Sequence, residues 1–384
     1  MQVWIFLPQW VRFTKYMKRI KILFFIETID GGGAEKVLRN LVNNMDRNRF
    51  DITVQTVFPG DAEHLLAEGI RYRAMYARNS GLSRLLYRLE AACGLSYLLH
   101  IRDTYDIECA CLECGATKII SGSTNKKAKK LAWVHCDLKK AMADPTGFAE
   151  KTRKYYQKFD KVVCVSRQGK ASFDELFSNR IDSVIVYNTV DREEILRKAQ
   201  QQPEREYGEP LVVSLGRLSE PKCYLRMLKA HRKLVEEGIV HHLLILGEGS
   251  ERASLEAYIR EHSLEQTVHL PGFAENPYPY LKKADLLACS SIYECFSTFI
   301  TEGLILGKPI VTTDASGMRE LLGDSQWGLI TDNEDEAFYK GMKEMLLSKE
   351  RRISYGEKAK VRGEDFSTQT LVGKTEEFFE DLLR

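Results

Sequence analysis

Between Ala284 and Asp314 the chain runs ADLLACSSIYECFSTFITEGLILGKPIVTTD: a short apolar strand pattern, a polar loop, a helical pattern and a second apolar strand. Ser297 and Thr298 are N-cap candidates before the helical stretch Phe299 to Leu306, and Gly307 supplies its stop. Two strands joined through a helix pair in parallel, so this span alone restricts the fold to the α/β class. The loop before the helix holds Glu294 and the helix holds Glu302, eight positions on. A helix entered this way presents unpaired backbone N–H groups to an anion.

The same alternation recurs on both sides. In the first half, Lys21 to Ile26 is a buried-strand run feeding the turn Asp30-Gly31-Gly32-Gly33-Ala34-Glu35 and a helical pattern through Leu38, Leu41 and Val42. Strand patterns follow at Asp51 to Val57, Arg71 to Ala77, Asp106 to Leu112, Leu131 to Val134, Lys161 to Ser166 and Val184 to Tyr187. Helical patterns fall at Ala62 to Gly69, Leu82 to Ile101 and Phe148 to Phe159. In the second half, the strands Leu211 to Leu215, His242 to Leu246 and Thr267 to Leu270 end in Gly216-Arg217, Gly247-Glu248-Gly249 and Pro271-Gly272-Phe273. Strand ends are where open α/β sheets place ligand-binding groups, which also draws attention to His135. Taken alone, His135 reads more often as a satisfied structural histidine.

With 384 residues the chain suits two domains. Arg192 to Gly208, charged and poor in apolar residues, is the expected linker. The predicted organisation is an extension over 1–16, a first Rossmann-like domain over 17–195, a second over 209–365, and a C-terminal helix over 366–384 returning toward the first domain. Residues 1–190 carry 30 Lys and Arg against 20 Asp and Glu, so the first half is basic and suited to an anionic surface. The aromatic-rich residues 1–16 read as an upstream extension or, alternatively, as a membrane-surface anchor.

Several classes drop out. The consecutive glycines 31–33 are neither a dinucleotide fingerprint nor a P-loop. No apolar run approaches the ~20 residues that span a bilayer. Nine scattered cysteines without a signal-peptide pattern suit a reduced, cytoplasmic setting. Cys109, Cys111 and Cys114 cluster, but the segment alternates like a strand and lacks a fourth ligand at metal-site spacing. Nothing in the pattern calls for nucleic acid.

Five motifs in order, Asp30-Gly-Gly-Gly-Ala-Glu35, Tyr187-Asn-Thr-Val-Asp191, Gly216-Arg-Leu-Ser-Glu-Pro-Lys222, Leu246-Gly-Glu-Gly249 and Glu294 to Pro309, make the chain from about Met17 similar to the family 4 glycosyltransferases. The resemblance, nearest to members building bacterial capsular and exopolysaccharides, implies a GT-B fold of two doubly wound Rossmann-like domains facing across a cleft. It also implies retaining transfer of a hexose from a nucleotide-diphosphate sugar, UDP- favoured over GDP-, to a lipid-linked glycan. Arg217 and Lys222 resemble the family's diphosphate-binding pair. Glu302 resembles the ribose-binding carboxylate, and Glu294 the residue holding donor-sugar hydroxyls. Gly32, Gly33, Gly247, Gly249, Phe273, Phe296, Ser297 and Thr298 match donor-site positions, and His135 matches the histidine near the reacting carbon.

The sequence has no Asp-x-Asp pair, so no metal or other cofactor is expected. An anionic membrane surface is an expected partner of the basic half, with peripheral attachment to the inner face of the cell membrane left open. Cys223 and Cys295 stand where glycine is usual in the family, raising the expectation of altered loop geometry at both. A nucleotide-sugar 2-epimerase of related fold, or a non-catalytic sugar-nucleotide-binding partner subunit, are the alternative functions.

Overall fold

The structure, a computed structural model, describes residues 18–29, 32–60 and 63–384. The expected extension over 1–16, its reading as a membrane anchor, and Asp30 and Gly31 of the glycine turn lie outside them.

Two parallel sheets account for the fold. The first contains β1 (Ile20–Phe25), β2 (Phe50–Thr56), β3 (Arg71–Ala74), β4 (Ile107–Ala110), β5 (Lys129–Val134), β6 (Lys161–Cys164) and β7 (Ser183–Ile185), ordered β3-β2-β1-β4-β5-β6-β7. The second contains β8 (Leu211–Leu215), β9 (His242–Leu246), β10 (Val268–Gly272), β11 (Leu286–Cys289), β12 (Ile310–Thr313) and β13 (Leu329–Thr331), ordered β10-β9-β8-β11-β12-β13. Central strands such as β1 from Ile22 onward and β11 are buried apolar runs because helices cover both faces. In each sheet the chain winds outward one way, then returns to the centre and winds the other. The reversal falls between β1 and β4 in the first sheet and between β8 and β11 in the second. At such a switch point neighbouring loops diverge and leave a crevice at the strands' carboxyl ends.

Several segments depart from the sequence reading. The expected linker begins as a helix, Arg192–Lys198. Asp191 caps it, accepting from the Glu194 N–H at 2.8 Å. Glu193 and Glu194 sit in the first turn and Arg197 and Lys198 in the last, complementing the helix dipole. Only Ile195 buries, so the hydrophobic pattern was too thin to reveal it. The helix expected over Ala62 to Gly69 is a 3₁₀ turn, Glu63–Leu65, among the described residues. The pattern Leu82 to Ile101 splits into two helices, Gly81–Cys93 and Ser96–His100, because Gly94 adopts φ 72° and ends the first.

The last helix, Thr368–Leu383, packs on the first domain. Phe379 is fully buried and meets Phe24, Trp133 and Phe50 edge-on at centroid distances of 5.9, 6.1 and 6.3 Å. Glu376 accepts from the Asp46 N–H at 2.6 Å and from Arg49 at 2.8 Å. The terminal segment thereby ties the halves together with both an aromatic cluster and buried polar contacts.

Candidate active site

The two loops at the second switch point carry most of the predicted site. After β8 the chain passes Gly216, exposed Arg217 and the 3₁₀ turn Glu220–Lys222; after β11 it passes Ser290 to Ser297. These loops are stitched together. The Ile292 N–H donates to the Pro221 carbonyl at 2.8 Å, and Ser290 Oγ donates to the Lys222 carbonyl at 2.9 Å. Lys222 forms an ion pair with Glu294, whose same oxygen accepts from Ser291 Oγ at 3.0 Å. Burial alone would lower the Lys222 ammonium, but Glu294 outweighs it and holds it above its usual value, so the lysine stays charged. Arg217 forms no ion pair among the described residues, leaving its guanidinium available to a ligand anion.

Behind this loop the helix Thr298–Ile305 begins at Ser297. Neither a side-chain cap nor a first-turn carboxylate neutralises its N-terminus. Its first N–H groups are therefore left without a side-chain partner at the end of the loop that carries Glu294. Glu302 lies within this helix and is 1% exposed. Lys36, from the helix Gly33–Asn44 of the opposite domain, reaches across the cleft to pair with one Glu302 oxygen and donates to Tyr278 Oη at 2.7 Å. Burial would lower the Lys36 ammonium, yet Glu302 and Tyr278 prevail and raise it. The second carboxylate oxygen, Oε2, is buried without a hydrogen-bond partner. A buried acceptor left without a donor costs stability, so Oε2 is a position where an added donor would be favourable.

Lys36 and Tyr278 were not identified from sequence. A lysine three residues inside a helix reads as solvated, and only the fold shows what faces it.

In the first domain, Gly32 caps the helix Gly33–Asn44, where a Cβ would strike the Glu35 carboxylate at 2.1 Å. Gly33 faces open space. His135 follows β5 and is half-buried; its backbone N–H and that of Cys136 both donate to Glu113 Oε1, the latter at 3.1 Å. Burial holds the His135 imidazole below its ordinary value despite Glu113 and Glu35, so it is neutral near pH 7. Glu113 was also missed: it belongs to the cysteine-rich segment, and the amides it anchors lie more than twenty positions away.

Other predicted donor residues occupy different settings. Gly247 and Gly249 are where the β9 loop crosses the β8 loop, and a Cβ on either would lie 2.0–2.1 Å from the Gly216 or Leu218 carbonyl oxygen. Phe273, after β10, is 71% exposed. Phe296 is buried against Tyr187 and Phe366 at 5.6 and 6.4 Å, a packing position between the domains.

The two cysteines also separate. Cys223 adopts φ 50°, ψ 47°, the left-handed conformation that glycine takes without cost. Cys295 has no such φ, correcting the expectation of strain there. It is buried at the domain interface, with Sγ 3.1 Å from Ser166 Oγ and filling the space beside Gly169. Further contacts bridge the cleft: Ser316 Oγ donates to Asp137 at 2.8 Å, and Tyr187 Oη to Glu320 at 2.5 Å.

Comparison with known proteins fits this geometry. Residues 196–362 match the family model described as "Glycosyl transferases group 1". The N-acetylgalactosamine-N,N'-diacetylbacillosaminyl-diphospho-undecaprenol 4-alpha-N-acetylgalactosaminyltransferase of Campylobacter jejuni is 36% identical over 214 residues, covering 54% of this chain and 57% of that protein. The chain thus spans about half the length of the first curated relatives it matches. The amylovoran biosynthesis glycosyltransferase AmsD of Erwinia amylovora is 20% identical over 92% of this chain and 98% of its own. Among solved structures, Anabaena HepE in complex with UDP and glucose superposes with a TM-score of 0.74 over 94% of this chain and 100% of that one, at 18% identity, a likeness of fold. The two facing parallel-sheet domains, the second matching the group 1 glycosyl transferase model, constitute the GT-B fold.

Proposed function

We propose that the chain is a retaining glycosyltransferase of family 4 that moves a hexose from a nucleotide-diphosphate sugar, UDP- in preference to GDP-, to a lipid-linked glycan in cell-surface polysaccharide synthesis. The observation carrying this reading is the Lys222–Glu294 pair, which joins the loops after β8 and β11 just ahead of the uncapped helix that bears the half-satisfied Glu302 carboxylate. The curated relatives add support, one being named for transfer involving a diphospho-undecaprenol glycan and another for amylovoran biosynthesis.

In this reading the ribose hydroxyls donate to Glu302, starting with Oε2, and Glu294 accepts from hydroxyls of the transferred sugar. Arg217, Lys222 and the N–H groups at Ser297 and Thr298 face the diphosphate. The anomeric carbon–oxygen bond breaks with its electrons going to the diphosphate, whose growing charge these donors stabilise. The acceptor hydroxyl forms the new bond on the same face, and its proton passes to the departing phosphate oxygen, which retains the configuration. Neutral His135 lies on the opposite wall as a hydrogen-bonding group near the reacting carbon. Because fixed cations neutralise the leaving group, the proposal includes no metal or other cofactor. Its partners are the donor, the glycan acceptor and an anionic membrane surface at the cytoplasmic face.

The test is turnover of a panel of UDP- and GDP-sugars with polyprenyl-diphosphate glycans, with the product anomer assigned by NMR. Acceptor-dependent release of nucleoside diphosphate with a retained anomer is expected. Conversion of the nucleotide sugar without acceptor, or an inverted product, would refute it.

A further inference from the structure

The helix Gly81–Cys93 is unusual for what it leaves outside. Of its thirteen residues only Ser83 is buried. Leu82, Leu85, Leu86 and Leu89 are 67, 53, 41 and 54% exposed. At 100° per residue these four form one stripe, while Ser83, Tyr87 and Glu90 share another face. That second face is the attachment. Glu90 accepts from Tyr76 Oη at 2.6 Å and meets His100 at 2.8 Å, and Tyr87 packs near Phe58. The turn and short helix that follow add Leu95, Leu98 and Leu99, each at least 44% exposed. Seven of the sixteen exposed large apolar residues among those described therefore fall between positions 82 and 99, which makes this a patch and not the ordinary scatter.

The helix does not need burial of the stripe to form. Ser80 and Ser83 complete a reciprocal capping box, and Gly94 closes the other end in the left-handed conformation. Charge identifies the occupant. Arg78, Arg84, Arg88 and Arg102 are exposed and make no ion pair among the described residues, while Glu90, the one carboxylate between positions 78 and 102, is engaged inward. A leucine stripe flanked by unpaired arginines matches an anionic lipid surface, where leucines enter the acyl boundary and guanidinium groups remain among the phosphates. The same arginines would repel one another across a contact between two copies of this chain. At thirteen residues the helix is too short to span a bilayer and lies in the interface plane.

We propose that the helix Gly81–Cys93 with the adjoining segment to His100 is the membrane-docking element of this protein, seated on anionic lipid. This deepens, and rests on, the reading that its acceptor is carried by a lipid.

The test is co-sedimentation of the full chain with phosphatidylcholine vesicles, pure or containing about one-third phosphatidylglycerol. The wild type is expected to bind the anionic vesicles. Arg84→Glu/Arg88→Glu should lose at least about thirtyfold in affinity, near one kcal/mol per removed cation. Leu85→Glu/Leu89→Glu should abolish binding, and UDP titration should be unchanged in both variants, separating this result from any failure of the donor assignment. The proposal is overturned if the wild type ignores anionic vesicles, if the leucine variant binds them undiminished, or if sedimentation shows a wild-type dimer that the leucine variant converts to monomer.

Discussion

Replacing Lys36 by methionine removes the cation that crosses the cleft and keeps the stem that lies against Tyr278. Glu302 has a side chain 2% exposed, and Lys36 is 29% exposed, so the pair is largely but not wholly dry. Deleting one member of a buried pair costs about 3–5 kcal/mol, mainly because the remaining charge is stranded. Partial hydration of Lys36 places this pair near the lower limit, on the order of 10²-fold in any equilibrium that needs an ionised, oriented Glu302. Calorimetric titration of UDP measures it. Since Lys36 holds one oxygen while Oε2 stays open, the methionine variant should bind UDP about 10²-fold more weakly. Lys36→Arg should restore most of the affinity. Equal or tighter UDP binding by Lys36→Met would refute this role and imply that the ion pair merely occupies the empty site.

The second domain should also be acid-sensitive. His231 and His241 are fully buried and bonded to each other at 2.9 Å, and burial followed by the neighbouring histidines pushes His231 down to about 3. The unfolded chain takes up this proton near pH 6.5 and the folded one does not, so stability is retained above pH 6.5 and lost as pH falls toward 3. That amounts to about 2 kcal/mol at pH 5 from His231, visible as a melting temperature that drops between pH 7 and 5 and drops less in His231→Leu; identical slopes would contradict it. At the interface, a Cβ on residue 169 would lie 2.6 Å from Cys295 Sγ. Gly169→Ala should therefore destabilise the protein by about 1–3 kcal/mol, and adding Cys295→Gly should relieve most of that loss. Additive effects in the double variant would show that the two positions do not meet.

Periodicity made the parallel architecture readable, because buried strands such as Leu211–Leu215 and His242–Leu246 are apolar runs ending in glycine turns. Arg217, Lys222, Glu294 and Glu302, the proposed donor-side residues, stand out in the sequence because they fall in short local motifs. What stayed hidden depends on contacts between distant segments. Lys36 and Glu302 are 266 positions apart, and the amides that Glu113 anchors belong to another strand end. Cys295 looked like a disturbance of the donor loop because sequence marks a missing glycine but not the direction of the replacing side chain; folded, it faces Ser166 and Gly169. The helix Arg192–Lys198 was concealed for another reason: its stability comes from a cap and end charges, which leave little hydrophobic pattern.

The most direct measurement is calorimetric titration of UDP and GDP into the wild type and into Glu302→Ala, with melting curves confirming that both are folded. Saturable UDP binding is expected in the wild type, weakened on the order of 10²-fold in the variant through loss of charge-assisted hydrogen bonds to the ribose. Absence of binding to either nucleotide, or unchanged affinity after removal of Glu302, would contradict a nucleotide-sugar site in this cleft.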